Sequence, residues 1–318
     1  MNTIQEQLGA EALGRLHGME LRARTMVEGH FSGQHHSHFK GASVEFADHR
    51  NYSSGDDLRH LDWKLLGRTD RHFIKQYDAE TNMNVLLVAD VSGSMGYGSG
   101  GANGVAPSGR SYTGTPEEGG GVTKFQYATY LAAGLAYLTS KQGDAPGLAL
   151  VDERLRERLA PRTRPAHLKR LMQSLEEAQP GGDTSLADAL AETAAAFTRR
   201  GIVVLISDLL DEPERLLRAL VYFRHRGHDV IVLHVLDPAE VSFSFRGPVI
   251  FEDLEDGEKL LTEADDIRKA YLQEFGAWQG GLEDGCRWAG LDYALMSTAE
   301  PFHRALSAYL GRRARVTR

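Results

Sequence analysis

Residues 85–101 read VLLVADVSGSMGYGSGG. An apolar run stops at a carboxylate, Asp90. Hydroxyls follow at every second position, Ser92 and Ser94, and glycine then takes over. With Asn84 in front, the run predicts a strand that is apolar on both faces, as in a parallel sheet covered on both sides. Asp90 then marks the carboxyl end of that strand, and the two serines fall in the loop above it.

Downstream, strand and helix patterns alternate for more than 200 residues. KFQYATYLAAGLAYLTSKQG reads as a helix ending at Gly143, PGLALVDE as a strand and RLRERLAPR as a further short strand. PAHLKRLMQSLEEAQ is a helix with Pro165 in its first turn, and SLADALAETAAAFTRRG a helix closed by Gly201. IVVLISD and HDVIVLHVLD are buried strands flanking the helix PERLLRALVYFRHRG. A polar, β-like excursion (241–262), a helix (264–288), the strand LDYALMST and a last helix (301–311) complete the order. This alternation predicts an open, mostly parallel α/β sheet with helices on both faces, of Rossmann type. A smaller, irregular N-terminal block precedes it, with a helix over 3–28 and a short helix over 56–67. The predicted division is 1–82 and 83–318. The glycine-rich stretch 96–122 has too few aliphatic residues to offset its ordering entropy and is predicted to be a flexible insertion.

Composition narrows the function classes. Hydrophobic residues make up 42% and charged residues 25% of 318, with a formal net charge of -8. That is an ordinary soluble balance, without a global basic excess for nucleic acid. Cys286 is the single cysteine, so no intrachain disulfide can form. The N-terminal residues show no signal-peptide core, and no stretch reaches the ~18 apolar residues of a membrane span. A cytoplasmic protein without a membrane span, and with no nucleic-acid partner, is expected.

In open parallel sheets, ligands bind at the carboxyl ends of the strands. Two further segments can bring oxygen there. IVVLISD ends in Asp208, like the strand before Asp90, and PGGDTSLADAL carries Thr184 in a glycine-rich loop before a helix. Asp90, Ser92, Ser94, Thr184 and Asp208 thus form a candidate ligand set. Oxygen donors of this kind suit a hard divalent cation, Mg²⁺ or Mn²⁺. Hydroxyls are neutral, so the cation would keep most of its charge and attract an outside anion.

D-x-S-x-S at 90–94, G-x-T at 182–184 and the strand-terminal Asp208 resemble the metal-ion-dependent adhesion site (MIDAS) of von Willebrand factor A domains. Upstream, Ser37, Gly41, Phe46, Arg50, Tyr52, Gly55, Asp56, Arg59, Asp62, Trp63 and Arg68 match the conserved block of the DUF58 family. The resemblance spans about residues 30–311. It implies a von Willebrand factor A-like fold, a bound Mg²⁺ or Mn²⁺, and a binding module rather than an enzyme. DUF58 members commonly occur beside MoxR-type AAA+ ATPases. The implied partners are therefore such an ATPase, a client protein presenting an Asp or Glu, or both, in protein remodelling or maturation. The chain departs from the pattern in its longer loop after D-x-S-x-S. It also lacks the hydrophobic segments of membrane-anchored members.

Other readings remain open. A hydrolase using Ser94 or Asp90 would need a base, for which His234 and His303 are available. Yet Ser92-Gly93-Ser94-Met95-Gly96 lacks the first glycine of G-x-S-x-G, and there is no P-loop motif. A metal-free scaffold is a third reading. His35, His36 and His38 fit no standard zinc spacing and read as a solvated loop. Arg50, Asp56, Asp57, Arg59, Asp62 and Arg68 read as a network holding the N-terminal block onto the sheet, with Trp63 as its apolar anchor, or as a docking surface.

Overall fold

The structure, a computed structural model, describes residues 44–51, 65, 67, 73–79, 83–99, 121–255 and 257–316. Residues 36–83 form a unit of their own, distinct from the unit that begins at Asn84. In the smaller unit β1 (Val44–Asn51) pairs antiparallel with β2 (Phe73–Ala79), with an irregularity between Phe46 and Asp48. The helix expected over 3–28, most of that over 56–67, the three histidines and most of the conserved block lie outside the described residues. So does 100–120 of the glycine-rich stretch.

The larger unit is built on a six-stranded sheet. Its strands are β3 (Asn84–Asp90), β4 (Ala145–Val151), β5 (Leu155–Leu159), β6 (Gly201–Ser207), β7 (Asp229–Leu236) and β10 (Asp292–Ser297), in the order β10-β7-β6-β3-β4-β5. All neighbours are parallel except β4 and β5. The short strand foreseen in RLRERLAPR is therefore an antiparallel edge. Its charged residues Arg156, Glu157 and Arg158 suit an edge that must not recruit another chain.

Period-two alternation in β3 sends side chains to two separate cores. Val85, Leu87 and Ala89 pack with residues of α1 (Lys124–Lys141), α2 (Pro165–Glu177) and α7 (Phe302–Val316). Leu86 and Val88 pack with residues of α3 (Leu186–Ala196), α4 (Pro213–His225) and α6 (Ala264–Trp288). The expected α/β architecture, with helices on both faces, is the observed one. A short α5 (Pro238–Ser242) follows β7, and the polar excursion is a hairpin of β8 (Pro248–Glu252) and β9 (Lys259–Glu263).

The strand order fixes where a ligand can sit. From β3 the chain crosses by α1 to β4 on one side; from β6 it crosses by α4 to β7 on the other. Because α1 and α4 cover opposite faces, the loops after β3 and β6 diverge and leave a crevice between the two carboxyl ends.

One expectation is corrected. Gly201 does not close α3, which ends at Ala196 with an extended Phe197 as its cap. Gly201 instead opens β6, opposite Asn84 of β3. A Cβ there would lie 2.2 Å from the Asn84 carbonyl oxygen, so glycine allows the two central strands to meet. Gly201→Ala should lower stability by about 1–3 kcal/mol, read from denaturant unfolding. An unchanged midpoint would contradict this account of the β3–β6 contact.

Candidate metal centre

Asp90 ends β3, and Ser207 ends β6 one residue before Asp208. Side by side at the crevice, Asp90, Ser92 and Asp208 are all buried. Asp90 accepts from the Ser92 amide at 2.9 Å and from the Ser207 hydroxyl at 2.5 Å. Beyond Ser92 a 3₁₀ turn, Gly93–Gly96, reverses the chain with buried Met95 as its anchor. That turn brings the Ser94 hydroxyl within 3.2 Å of the Ser92 hydroxyl. Alternation alone would have put both serines along one extended edge; the turn makes them converge.

Thr184 arrives on a loop tied to the same turn. Gly93 N donates to Gly182 O at 3.0 Å, and Gly181 N donates to Val91 O at 2.9 Å. Arg156 steadies this loop from below, bonding both Asp152 and the Gly181 carbonyl. Gly182 has φ +86° and a Cβ there would lie 2.9 Å from the Arg156 guanidinium, so the position requires glycine. Both the Thr184 hydroxyl and its amide donate to one carboxylate, Glu255, at the tip of the β8–β9 hairpin. The five expected residues thus lie on three loops around one crevice, four of them at the ends of β3 and β6.

Three further charged residues escaped the sequence reading. Lys124, fully buried at the start of α1, bonds Asp208 at 2.8 Å and Glu240 at 2.6 Å. A lysine in the first turn opposes the helix dipole, and its burial pulls its pKa down. The Asp208 and Glu240 carboxylates overcome both effects and hold it above the ordinary lysine value. Burial raises the Glu240 pKa, and Lys124 pulls it back. The third residue is Glu255. A buried lysine opening an otherwise apolar helix was the one available signal for Lys124; the two glutamates gave none.

Asp90 is the unbalanced member. Burial, and then repulsion from Asp208, push its pKa up to about 7, against the pull of the Ser207 and Ser92 hydrogen bonds. Among the described residues the basic side chain in the cluster is Lys124, which bonds Asp208 and Glu240 rather than Asp90. Asp90, Asp208 and Glu240 against Lys124 leave an excess of negative charge beside three hydroxyls. That donor set fits a hard dication such as Mg²⁺, with Ser92, Ser94 and Thr184 offering neutral oxygen and the aspartates charge. Among the described residues no three His, Cys, Asp or Glu side chains group closely enough to hold a metal by themselves, so a cation here would depend on the hydroxyls as direct ligands.

The two histidines named as possible bases can be placed. His234 is buried, with Nε2 donating to the Asp208 carbonyl at 2.9 Å and Nδ1 accepting from the Tyr293 hydroxyl at 2.7 Å. The carbonyl can only accept, which fixes the tautomer. Burial lowers the His234 pKa to about 4. Both nitrogens are engaged away from Ser94, whose hydroxyl meets Ser92 instead. His303 lies in the first turn of α7.

The chain belongs to the DUF58 family, described as "Protein of unknown function DUF58", whose model matches residues 48–106 and 106–278. Among curated proteins it is similar to the uncharacterized proteins Rv1480 of Mycobacterium tuberculosis and Mb1516 of Mycobacterium bovis. Each is 29% identical over 245 residues, which is 76% of this chain and 70% of the relative. Among solved structures it is similar to the conserved hypothetical protein BatB of Bacteroides thetaiotaomicron, with a TM-score of 0.45 and 15% identity over 73% of this chain and 99% of that one. An aerotolerance-related membrane protein of Bacteroides fragilis gives 0.44 and 16%, over 72% and 99%. The SpRpn10 VWA domain gives 0.37 and 13%, over 73% and 95%.

Removing Lys124 would leave Asp208 and Glu240 buried without a counter-charge. Lys124→Met should therefore destabilise the protein by about 3–5 kcal/mol, and Lys124→Met/Glu240→Gln should recover part of the loss. Equal unfolding midpoints for wild type and Lys124→Met would refute the pairing.

Proposed function

We propose that Asp90, Ser92, Ser94, Thr184 and Asp208 hold a divalent cation, Mg²⁺ or Mn²⁺. On this reading the chain is a metal-dependent protein-binding module without catalytic activity. The observation that carries it is Asp90: a carboxylate buried next to another, with its pKa near 7 and no basic partner of its own among the described residues. Such a group is stable in this burial only if a cation compensates it or a proton neutralises it. The hydroxyls beside it select a hard cation, whose charge they leave largely unquenched. An outward coordination position would then take a carboxylate from another protein.

The partner class follows from family resemblance: a MoxR-type AAA+ ATPase, or its client, contributing an Asp or Glu within a wider contact. A single metal–carboxylate bond competes with water, so the surrounding surface must supply much of the affinity. The accessory role in remodelling or maturing other proteins, and a cytoplasmic location, belong to the same proposal. Among the described residues no helix is long and apolar enough to cross a membrane.

Two outcomes test the reading. Asp90→Ala should abolish Mg²⁺ binding in calorimetry, whereas affinity equal to wild type would sink the site assignment. Protons must also compete with the cation. Because the Asp90 pKa is raised, the cation-free fold is favoured by protonation of this group, and that contribution is lost as pH rises through about 7. Cation binding favours the ionised form, so Mg²⁺ affinity should fall by about tenfold per pH unit below 7. Affinity that stays flat between pH 5.5 and 7 would contradict the role given to Asp90.

A further inference from the structure

The β8–β9 hairpin brings an acid to the cluster from outside the three-loop motif. Its tip is shaped by an Asx turn, with Glu255 N donating to the Asp253 carboxylate at 2.7 Å. Both carboxylate oxygens of Glu255 then accept from Thr184, one from its hydroxyl and one from its amide at 3.3 Å. The same hairpin crosses Gly93. A Cβ at that position would lie 2.7 Å from the Leu254 carbonyl oxygen and 3.2 Å from Glu255 Cγ. Glycine between the two serines therefore serves a closure: it lets the hairpin tip press onto the turn that presents Ser92 and Ser94.

Charge makes this contact informative. The crevice already holds Asp90, Asp208 and Glu240 against Lys124, and Lys124 bonds Asp208 and Glu240 rather than Glu255, which adds another negative charge. A carboxylate bonded to a threonine hydroxyl in such surroundings is poised for a cation. We propose that Glu255 is the chain's own carboxylate ligand at the outward position of the metal, and that an acidic partner binds by replacing it. This inference rests on the cation reading above and adds to it the residue that guards the site. With Glu255 in place, an incoming Asp or Glu meets a carboxylate already there; with Glu255 withdrawn, it meets an exposed cation.

The hairpin is built to be withdrawn. It is fixed where Phe251, near the tip end of β8, packs against Phe243 and Phe245, with ring centroids 5.9 and 5.3 Å apart. Around that anchor the hairpin buries little: Ile250 and Leu260 are each 62% exposed, and at the tip Leu254 is 47% exposed. Few apolar contacts hold the outer part down, so local opening is cheap. Glu255 lies four residues past the Phe251 anchor and is the part that touches the crevice.

Wild type, Asp90→Ala and Glu255→Ala are compared by Mg²⁺ calorimetry and by water-proton relaxivity with bound Mn²⁺. Asp90→Ala should abolish binding. Glu255→Ala should still bind Mg²⁺, about tenfold more weakly, and its bound Mn²⁺ should show higher relaxivity because water enters the vacated position. If Asp90→Ala loses binding while Glu255→Ala matches wild type in affinity and relaxivity, the cation reading survives and Glu255 is not its ligand. If wild type and Asp90→Ala bind the cation equally, the cation reading fails and this inference falls with it.

Discussion

Two carboxylates at the carboxyl ends of adjoining parallel strands, Asp90 after β3 and Asp208 after β6, lie buried side by side. The rest of the larger unit is arranged around that repulsion. One aspartate is compensated from within the chain, because Lys124 reaches Asp208 from the first turn of α1. Asp90 receives hydrogen bonds from Ser92 and Ser207 but, among the described residues, no counter-charge, and its pKa rises accordingly. On the proposed reading, the electrostatic cost of this burial in the cation-free protein would become affinity in the loaded one.

The sheet topology decides that the pair lies at the strand ends rather than in the middle of the sheet. Crossovers on opposite faces make the loops after β3 and β6 part, and the crevice between them opens outward. Close approaches then shape it. Gly201 lets β6 lie against β3, Gly182 lets the Thr184 loop pass over Arg156, and Gly93 lets the hairpin tip descend. Each is a place where backbone, rather than side chain, must come close. His234 completes the support from beneath, donating Nε2–H to the Asp208 carbonyl, which fixes its tautomer and leaves Nδ1 to accept from Tyr293.

The strand–helix order was legible because β3, β4, β6 and β7 are covered on both faces and read as continuous apolar runs, with a helical pattern after β3, β6 and β7 and the edge strand β5 after β4. The oxygen set was legible because its members sit at strand ends and in a glycine-rich loop, positions a sequence pattern marks directly. Gly201 was misread because a glycine after a helical pattern looks like a cap, while its real constraint lies on a strand far off in sequence. Lys124, Glu240 and Glu255 were missed for a related reason. Lys124 and Asp208 are 84 positions apart, Lys124 and Glu240 are 116, and Thr184 and Glu255 are 71. No local periodicity links such pairs; only the assembled fold brings them together.

The central claim is that the Asp90–Asp208 pair, with the hydroxyls beside it, is a cation site. The most direct measurement is a crystal of the full chain soaked in Mn²⁺, with diffraction data collected across the manganese absorption edge. The account predicts an anomalous peak in the crevice at coordination distance, about 2.0–2.4 Å, from Ser92 and Ser94 hydroxyl oxygens. A Mn²⁺-soaked crystal with no peak in the crevice, and Asp90 still bonded only to Ser92 and Ser207, would contradict it.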